Sequence, residues 1–168
     1  KLETSSDYAR NISLPHTWNL DALGGQGKYL QTVANYQRNL AIPANWEGKR
    51  LFVKFHGVQS VADVFINGHH VGEHRGGWTA FTFEITKHVK FGENNSLLVV
   101  VNNAYQNDIL PTSSEINLYG GIYREVELDE LCDKKGDDTK VCGKTIKIGA
   151  EIGIPGLVKA QIEWVKEQ

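Results

Sequence analysis

Polar and apolar residues alternate in short runs along most of this chain, and residues that break regular structure separate the runs. In residues 51–58, Leu51, Val53 and Phe55 fall on one face of an extended segment and Lys54 and His56 on the other, the pattern of a half-buried strand. Residues 36–42 carry a strand signal that Pro43 stops, and Asn45-Trp46-Glu47-Gly48 reads as a turn. The sharpest local signal is Asp63-Val64-Phe65-Ile66-Asn67-Gly68-His69-His70-Val71, where Asn67-Gly68 offers the two positive-φ positions of a tight hairpin. Thr79, Phe81, Phe83 and Ile85 share one face of the next run, opposite Trp78, Ala80, Thr82 and Glu84. After the turn Gly92-Glu93-Asn94-Asn95, residues 97–101 are apolar on both faces, which places them mid-sheet and covered on each side. Ile122, Tyr123, Val126 and Leu128 read as a further strand.

No helical period competes with these runs. The predicted fold is all-β, and two sheets packed face to face as a jelly-roll sandwich cover a central strand while leaving few open edges. Residues 1–30 read as an irregular segment that wraps the domain, with Gly24-Gly25-Gln26-Gly27 as its loosest part. The pattern divides the chain into a sandwich domain over residues 1–129 and a different stretch over residues 130–168. Residues 131–140 are charged and turn-forming. Beyond them Ile146, Ile148, Ala150 and Ile152, then Val158, Ala160, Ile162 and Trp164, alternate about Ile154-Pro155-Gly156, which predicts an extra C-terminal hairpin with one apolar face. That hairpin either completes the first sandwich or opens a second β domain, because a lone hairpin is marginally stable.

Charge and composition narrow the function classes. Among 168 residues, 18 basic and 20 acidic side chains give a formal charge of −2 without a basic run, a poor match to nucleic acid or an anionic membrane. The longest apolar run, residues 97–101, is too short to cross a bilayer, and the N-terminus lacks the apolar core of a signal peptide. The first residue is not Met, so a processed or excised piece stays open. No cofactor is expected. His69, His70 and His74 are poor candidates for a shared metal, since adjacent strand residues point to opposite faces. Trp18, Trp46, Trp78 and Trp164 serve either as core or as stacking platforms for sugar rings, with Trp46 and Trp78 expected to be partly exposed beside turns. Cys132 and Cys142 bracket a charged loop that a disulfide would close in an oxidising compartment, at a gain of about 2 to 3 kcal/mol.

The stretch from Pro111 to Arg124 concentrates the candidate chemistry. Pro111 and a Ser/Thr cluster forbid a regular element, and Gly120-Gly121 permits backbone angles closed to other residues. A polar loop of that kind, seated on strands, is where binding groups sit.

Six motifs in order then point to a family: Leu14-Pro15-His16-Thr17-Trp18-Asn19, Trp46-Glu47-Gly48-Lys49-Arg50, Phe65-Ile66-Asn67-Gly68, Val71-Gly72-Glu73-His74-Arg75-Gly76-Gly77-Trp78, Gly92-Glu93-Asn94-Asn95 and Tyr119-Gly120-Gly121-Ile122-Tyr123-Arg124. Over roughly residues 12–128 the chain resembles the N-terminal sugar-binding domain of family 2 glycoside hydrolases, the β-galactosidases, β-glucuronidases and β-mannosidases. The resemblance implies a galactose-binding-like jelly roll, followed in the parent enzyme by an immunoglobulin-like sandwich and a barrel that carries the catalytic glutamates. On that basis residues 130–168 are a linker and the possible opening of the immunoglobulin-like domain. Retaining hydrolysis needs two carboxyl groups about 5 Å apart across the scissile bond. This chain offers no such pair by spacing, so no residue is assigned a catalytic role and the chain alone is expected to be inactive.

In the family, an Asp four residues before the Tyr of the last motif reaches the terminal sugar in the active site. The matching residue here is Glu115, longer by one methylene. Glu115, Asn117 and Tyr119 are the candidate substrate-binding residues, and Arg124 is expected as a structural cation beneath the loop. The partners implied are a β-glycoside substrate and the catalytic and immunoglobulin-like domains; a periplasmic or secreted location follows from resemblance alone. Two other readings stay open: an autonomous carbohydrate-binding module, and a purely structural or interface domain.

Overall fold

The computed structural model describes residues 9–19, 31–109, 119–131, 145–148 and 158–163, and the account below concerns these. Ten strands form two antiparallel sheets, and the expectation of an all-β sandwich is met. The strands are β1 (Ala9–Ile12), β2 (Val33–Ala41), β3 (Arg50–Phe55), β4 (Val61–Ile66), β5 (His69–Arg75), β6 (Phe81–Glu84), β7 (Asn94–Asn102), β8 (Val126–Leu131), β9 (Thr145–Ile148) and β10 (Val158–Glu163). One sheet has the order β1-β10-β2-β7-β4-β5 and the other β6-β3-β8-β9. Among the described residues no helix is long and apolar enough to cross a membrane.

Alternation along the strands builds the core. Tyr36 and Leu40 of β2, Val64 and Ile66 of β4, and Leu97, Val99 and Val101 of β7 face inward from the first sheet. Leu51, Val53 and Phe55 of β3 with Val126 and Leu128 of β8 meet them from the second. Each such side chain, fully buried, stabilises the fold by about 1.5 to 3 kcal/mol. The predicted hairpin is present: Asn67 (φ 51°) and Gly68 (φ 82°) turn β4 into β5. Asn67 also stitches that turn to neighbouring loops, its side-chain amide donating to the His88 carbonyl (2.8 Å) and to Asn95 Oδ1 (2.8 Å). The buried Asn95 closes the Gly92 turn by accepting from Lys90 N–H (2.6 Å) and donating to the Lys90 and Glu93 carbonyls. At the far end of β8, the buried carboxylate of Glu130 is neutralised by Lys49.

Five expectations are corrected. Residues 1–30 are not wholly irregular, since Ala9–Ile12 forms an edge strand against β10. Strand β7 is central, between β2 and β4, but buried on one face only; Leu98 and Val100 on the other are half-buried, which a two-layer sandwich permits. The last strand of the loop motif begins at Val126, and the buried Ile122 precedes it in irregular backbone. Trp46 is only 4% exposed, because the 3₁₀ turn Ala44–Trp46 folds its indole into the core. The two C-terminal strands do not pair as a hairpin: β9 hydrogen-bonds β8, whereas β10 lies between β1 and β2 in the opposite sheet. Each thereby satisfies its backbone on a strand already present, which relieves an open edge in either sheet. Trp164, Cys132 and Cys142 lie outside the described residues.

Candidate functional site

The candidate loop falls in the sequence between Ile109 and Tyr119. Glu115 and Asn117 lie outside the described residues, and Tyr119, at its exit, is 43% exposed. What the structure shows is how both feet of the loop are held.

At the exit, two of the sequence motifs lock together. His16 N–H donates to the Ile122 carbonyl (2.8 Å) and Trp18 N–H to the Gly120 carbonyl (3.2 Å), while Thr17 Oγ1 donates to that same carbonyl (2.9 Å). Gly120 N–H in turn donates to Asn19 Oδ1 (2.8 Å). The double glycine is required by this contact. A Cβ on Gly120 would lie 1.9 Å from Trp18 Cζ2, and one on Gly121, whose φ is 133°, would lie 2.6 Å from the His16 carbonyl oxygen. Trp18 is 1% exposed, and Tyr36 Oη approaches His16 Nδ1 to 2.8 Å beside it. Gln59 and Gly121 exchange backbone hydrogen bonds at 3.0 and 3.3 Å, which ties the exit to the chain preceding β4.

At the entry, the buried Asn103 accepts from Thr32 N–H (2.7 Å) and returns its own N–H to the Thr32 carbonyl (3.2 Å). Further along, Arg75 at the end of β5 grips Asp108: Nε donates to Oδ2 at 3.0 Å, and Nη2 to Oδ1 and Oδ2 at 2.8 Å each. Its hydrogen bond with Arg75 holds the Asp108 carboxyl below the usual carboxylate range and raises the guanidinium. This ion pair was not legible from spacing, because its partners stand 33 residues apart.

The other candidates disperse. His69 stacks on His88 (5.1 Å between centroids), His70 bonds Asp63 (2.9 Å), and His74 stacks on Phe81 (4.0 Å). Burial lowers the His74 pKa. Arg124 is exposed and lies over the Tyr123 ring at 5.4 Å, and the loop it is expected to support lies outside the described residues. Trp78 is 59% exposed, as expected.

One convergent group of potential metal ligands occurs among the described residues: His56, Glu125 and Glu127, whose ligand atoms lie within 4.8 Å of one another. Its charges are already answered. His56 Nε2 is 2.8 Å from Glu127 Oε2, Lys147 Nζ donates to Glu125 at 2.8 Å, and Lys54 Nζ stands 3.9 Å from Glu127. Lys147 also pulls the Glu125 carboxyl below its ordinary pKa, the reverse of what a general acid of glycoside hydrolysis requires.

The geometry defines a β-sandwich whose described residues on either side of positions 110–118 are anchored to the scaffold. Comparison with known proteins supplies the family. The model of the glycosyl hydrolases family 2 sugar binding domain matches residues 2–132, and the chain belongs to that family. A β-glucuronidase of Bacteroides fragilis is 56% identical over 127 residues, 73% of this chain and 18% of that protein. A β-galactosidase of Thermoanaerobacter pseudethanolicus is 43% identical over 90 residues, 52% of this chain and 12% of that protein. The crystal structure of a Bacteroides uniformis β-glucuronidase superposes with a TM-score of 0.64 at 42% identity, covering 70% of this chain and 14% of that one. The chain thus spans less than a fifth of each of these relatives.

Proposed function

We propose that this chain works as the non-catalytic sugar-binding domain of a multi-domain family 2 glycosidase, braces the catalytic barrel, and lends the loop of residues 110–118 to recognition of a β-glycoside substrate. Glu115, with Asn117 and Tyr119, carries that recognition: a carboxylate accepts charge-assisted hydrogen bonds from sugar hydroxyls, which are stronger than neutral ones. The observation that carries the reading is the pair of anchored feet, Gly120 on Trp18 and Asp108 on Arg75, which fix the base of a polar loop to a rigid scaffold. In this role the domain contributes positioning and specificity, and the proton transfers belong to the barrel. An immunoglobulin-like domain would then follow a sandwich that already includes β9 and β10.

Steady-state kinetics of Glu115→Gln in the full-length enzyme test the reading, with p-nitrophenyl β-galactoside, β-glucuronide and β-mannoside as probes. The expected result is a loss of kcat/KM of about 10- to 200-fold for the preferred sugar, the cost of a charged hydrogen bond, with an unchanged unfolding midpoint. Wild-type kinetics on all three would remove Glu115 from recognition.

A further inference from the structure

Two exposed side chains are presented for contact by parts of the fold that hold them still. Trp78, 59% exposed, sits on a bend fixed from both sides: Gly76 N–H donates to the Ser60 carbonyl (2.9 Å), and the Tyr123 hydroxyl donates to the Gly77 carbonyl. Arg124 is exposed with its guanidinium over the Tyr123 ring at 5.4 Å. Its nearest acidic neighbours in sequence are engaged elsewhere, Glu125 by Lys147 and Glu127 by His56, and Arg124 has no ion-pair partner among the described residues. Tyr123 joins the two, since its hydroxyl steadies the Trp78 bend and its face carries Arg124. Tryptophan, tyrosine and arginine are the residue types that anchor protein interfaces, and a stacked guanidinium is pre-organised for bidentate capture of a carboxylate.

We propose that Trp78, Tyr123 and Arg124 form the surface on which the remainder of the longer polypeptide docks, with Trp78 entering an apolar recess and Arg124 pairing with a carboxylate there. The inference rests on the reading of this chain as one domain of a longer family 2 enzyme. Two observations select that occupant. The relatives carry most of their length outside the matched region, of which this chain spans 18% in one and 12% in another. The patch couples an apolar ring to a positive charge that no described residue pairs, so a neutral sugar would not supply Arg124 with a carboxylate. The same end of the sandwich carries the loop base, because Gln59 and Tyr123 link this bend to Gly121 and its neighbours.

The test compares Trp78→Ala and Arg124→Glu in the full-length polypeptide and in this 168-residue chain. Both variants are expected to leave the unfolding midpoint of the chain unchanged. In the full-length protein both speed proteolytic cleavage between this domain and the remainder by on the order of tenfold, as loss of an interface anchor does. Unchanged cleavage would overturn the proposal, and so would a fall in the midpoint of the chain itself, since the side chains would then serve the sandwich. Binding of glucuronate or methyl β-galactoside to the chain that Trp78→Ala abolishes would reassign the patch to sugar. A dimer of the chain that Arg124→Glu dissociates would reassign it to a second copy. Glu115→Gln kinetics separate this proposal from the reading beneath it: normal turnover in that variant beside rapid cleavage of Trp78→Ala would remove the loop's role and keep the docking surface.

Discussion

The two feet of the recognition loop are fastened by opposite physics. At the exit, Gly120 lies flat against the buried Trp18 and its polar groups are satisfied by Thr17 and Asn19, so packing and neutral hydrogen bonds hold it. At the entry, past the buried Asn103, an exposed guanidinium holds an exposed carboxylate nearest the loop, a contact that water and salt weaken. The first belongs to the core and fails only with the fold. The second sets geometry at little cost in stability, so the entry can be altered independently of the scaffold.

The largest expected effect is at the exit. Trp18→Ala empties a large buried site and should destabilise the chain by about 3 to 5 kcal/mol in urea unfolding, and Gly120→Val, forced into the same indole, by about 3 kcal/mol. Retention of wild-type stability by either variant would show that the close approach of Gly120 to Trp18 is not what secures the exit. A smaller effect is expected from Tyr36→Phe, which removes the hydroxyl 2.8 Å from His16 Nδ1 and should lower stability by about 1 kcal/mol without changing the dependence on denaturant.

The smallest effect is expected at the entry. Asp108→Asn should leave the unfolding midpoint at neutral pH close to that of the wild type. Its signature is the pH profile. The folded-state pKa of Asp108 is depressed, so its contribution is present above the unfolded value near about 3.9 and is lost as pH falls through the lower folded value. Asp108→Asn should therefore flatten the stability profile below about pH 4 and nowhere above it. An unchanged acid profile would mean that Arg75 does not hold Asp108 in solution.

Much of this architecture was readable along the chain. Period-two alternation places β3, and Asn67-Gly68 can be read as the β4–β5 turn without any tertiary information, because both are consequences of local backbone sterics. The double glycine at 120–121 was legible as a special backbone site, but its partner was not, since Trp18 stands a hundred residues away and only folding brings it there. Trp46 and Trp78 show the same limit: both flank turns, yet one indole is buried and the other is open to solvent.

What sequence alone determined, then, is most of the strands, the β4–β5 hairpin, the candidate loop and the family likeness of its motifs, all of which depend on residues close together or on their order. Tertiary structure decided which edges the strands cover. β9 and β10 read as partners, but each had an open edge available in a different sheet, and backbone hydrogen bonds carry no residue identity that would announce the choice. It also decided the long-range ionic and aromatic pairs, Arg75 with Asp108 and His69 with His88, because such partners meet through space, and the path of the chain between them is set by the packing of the whole sandwich.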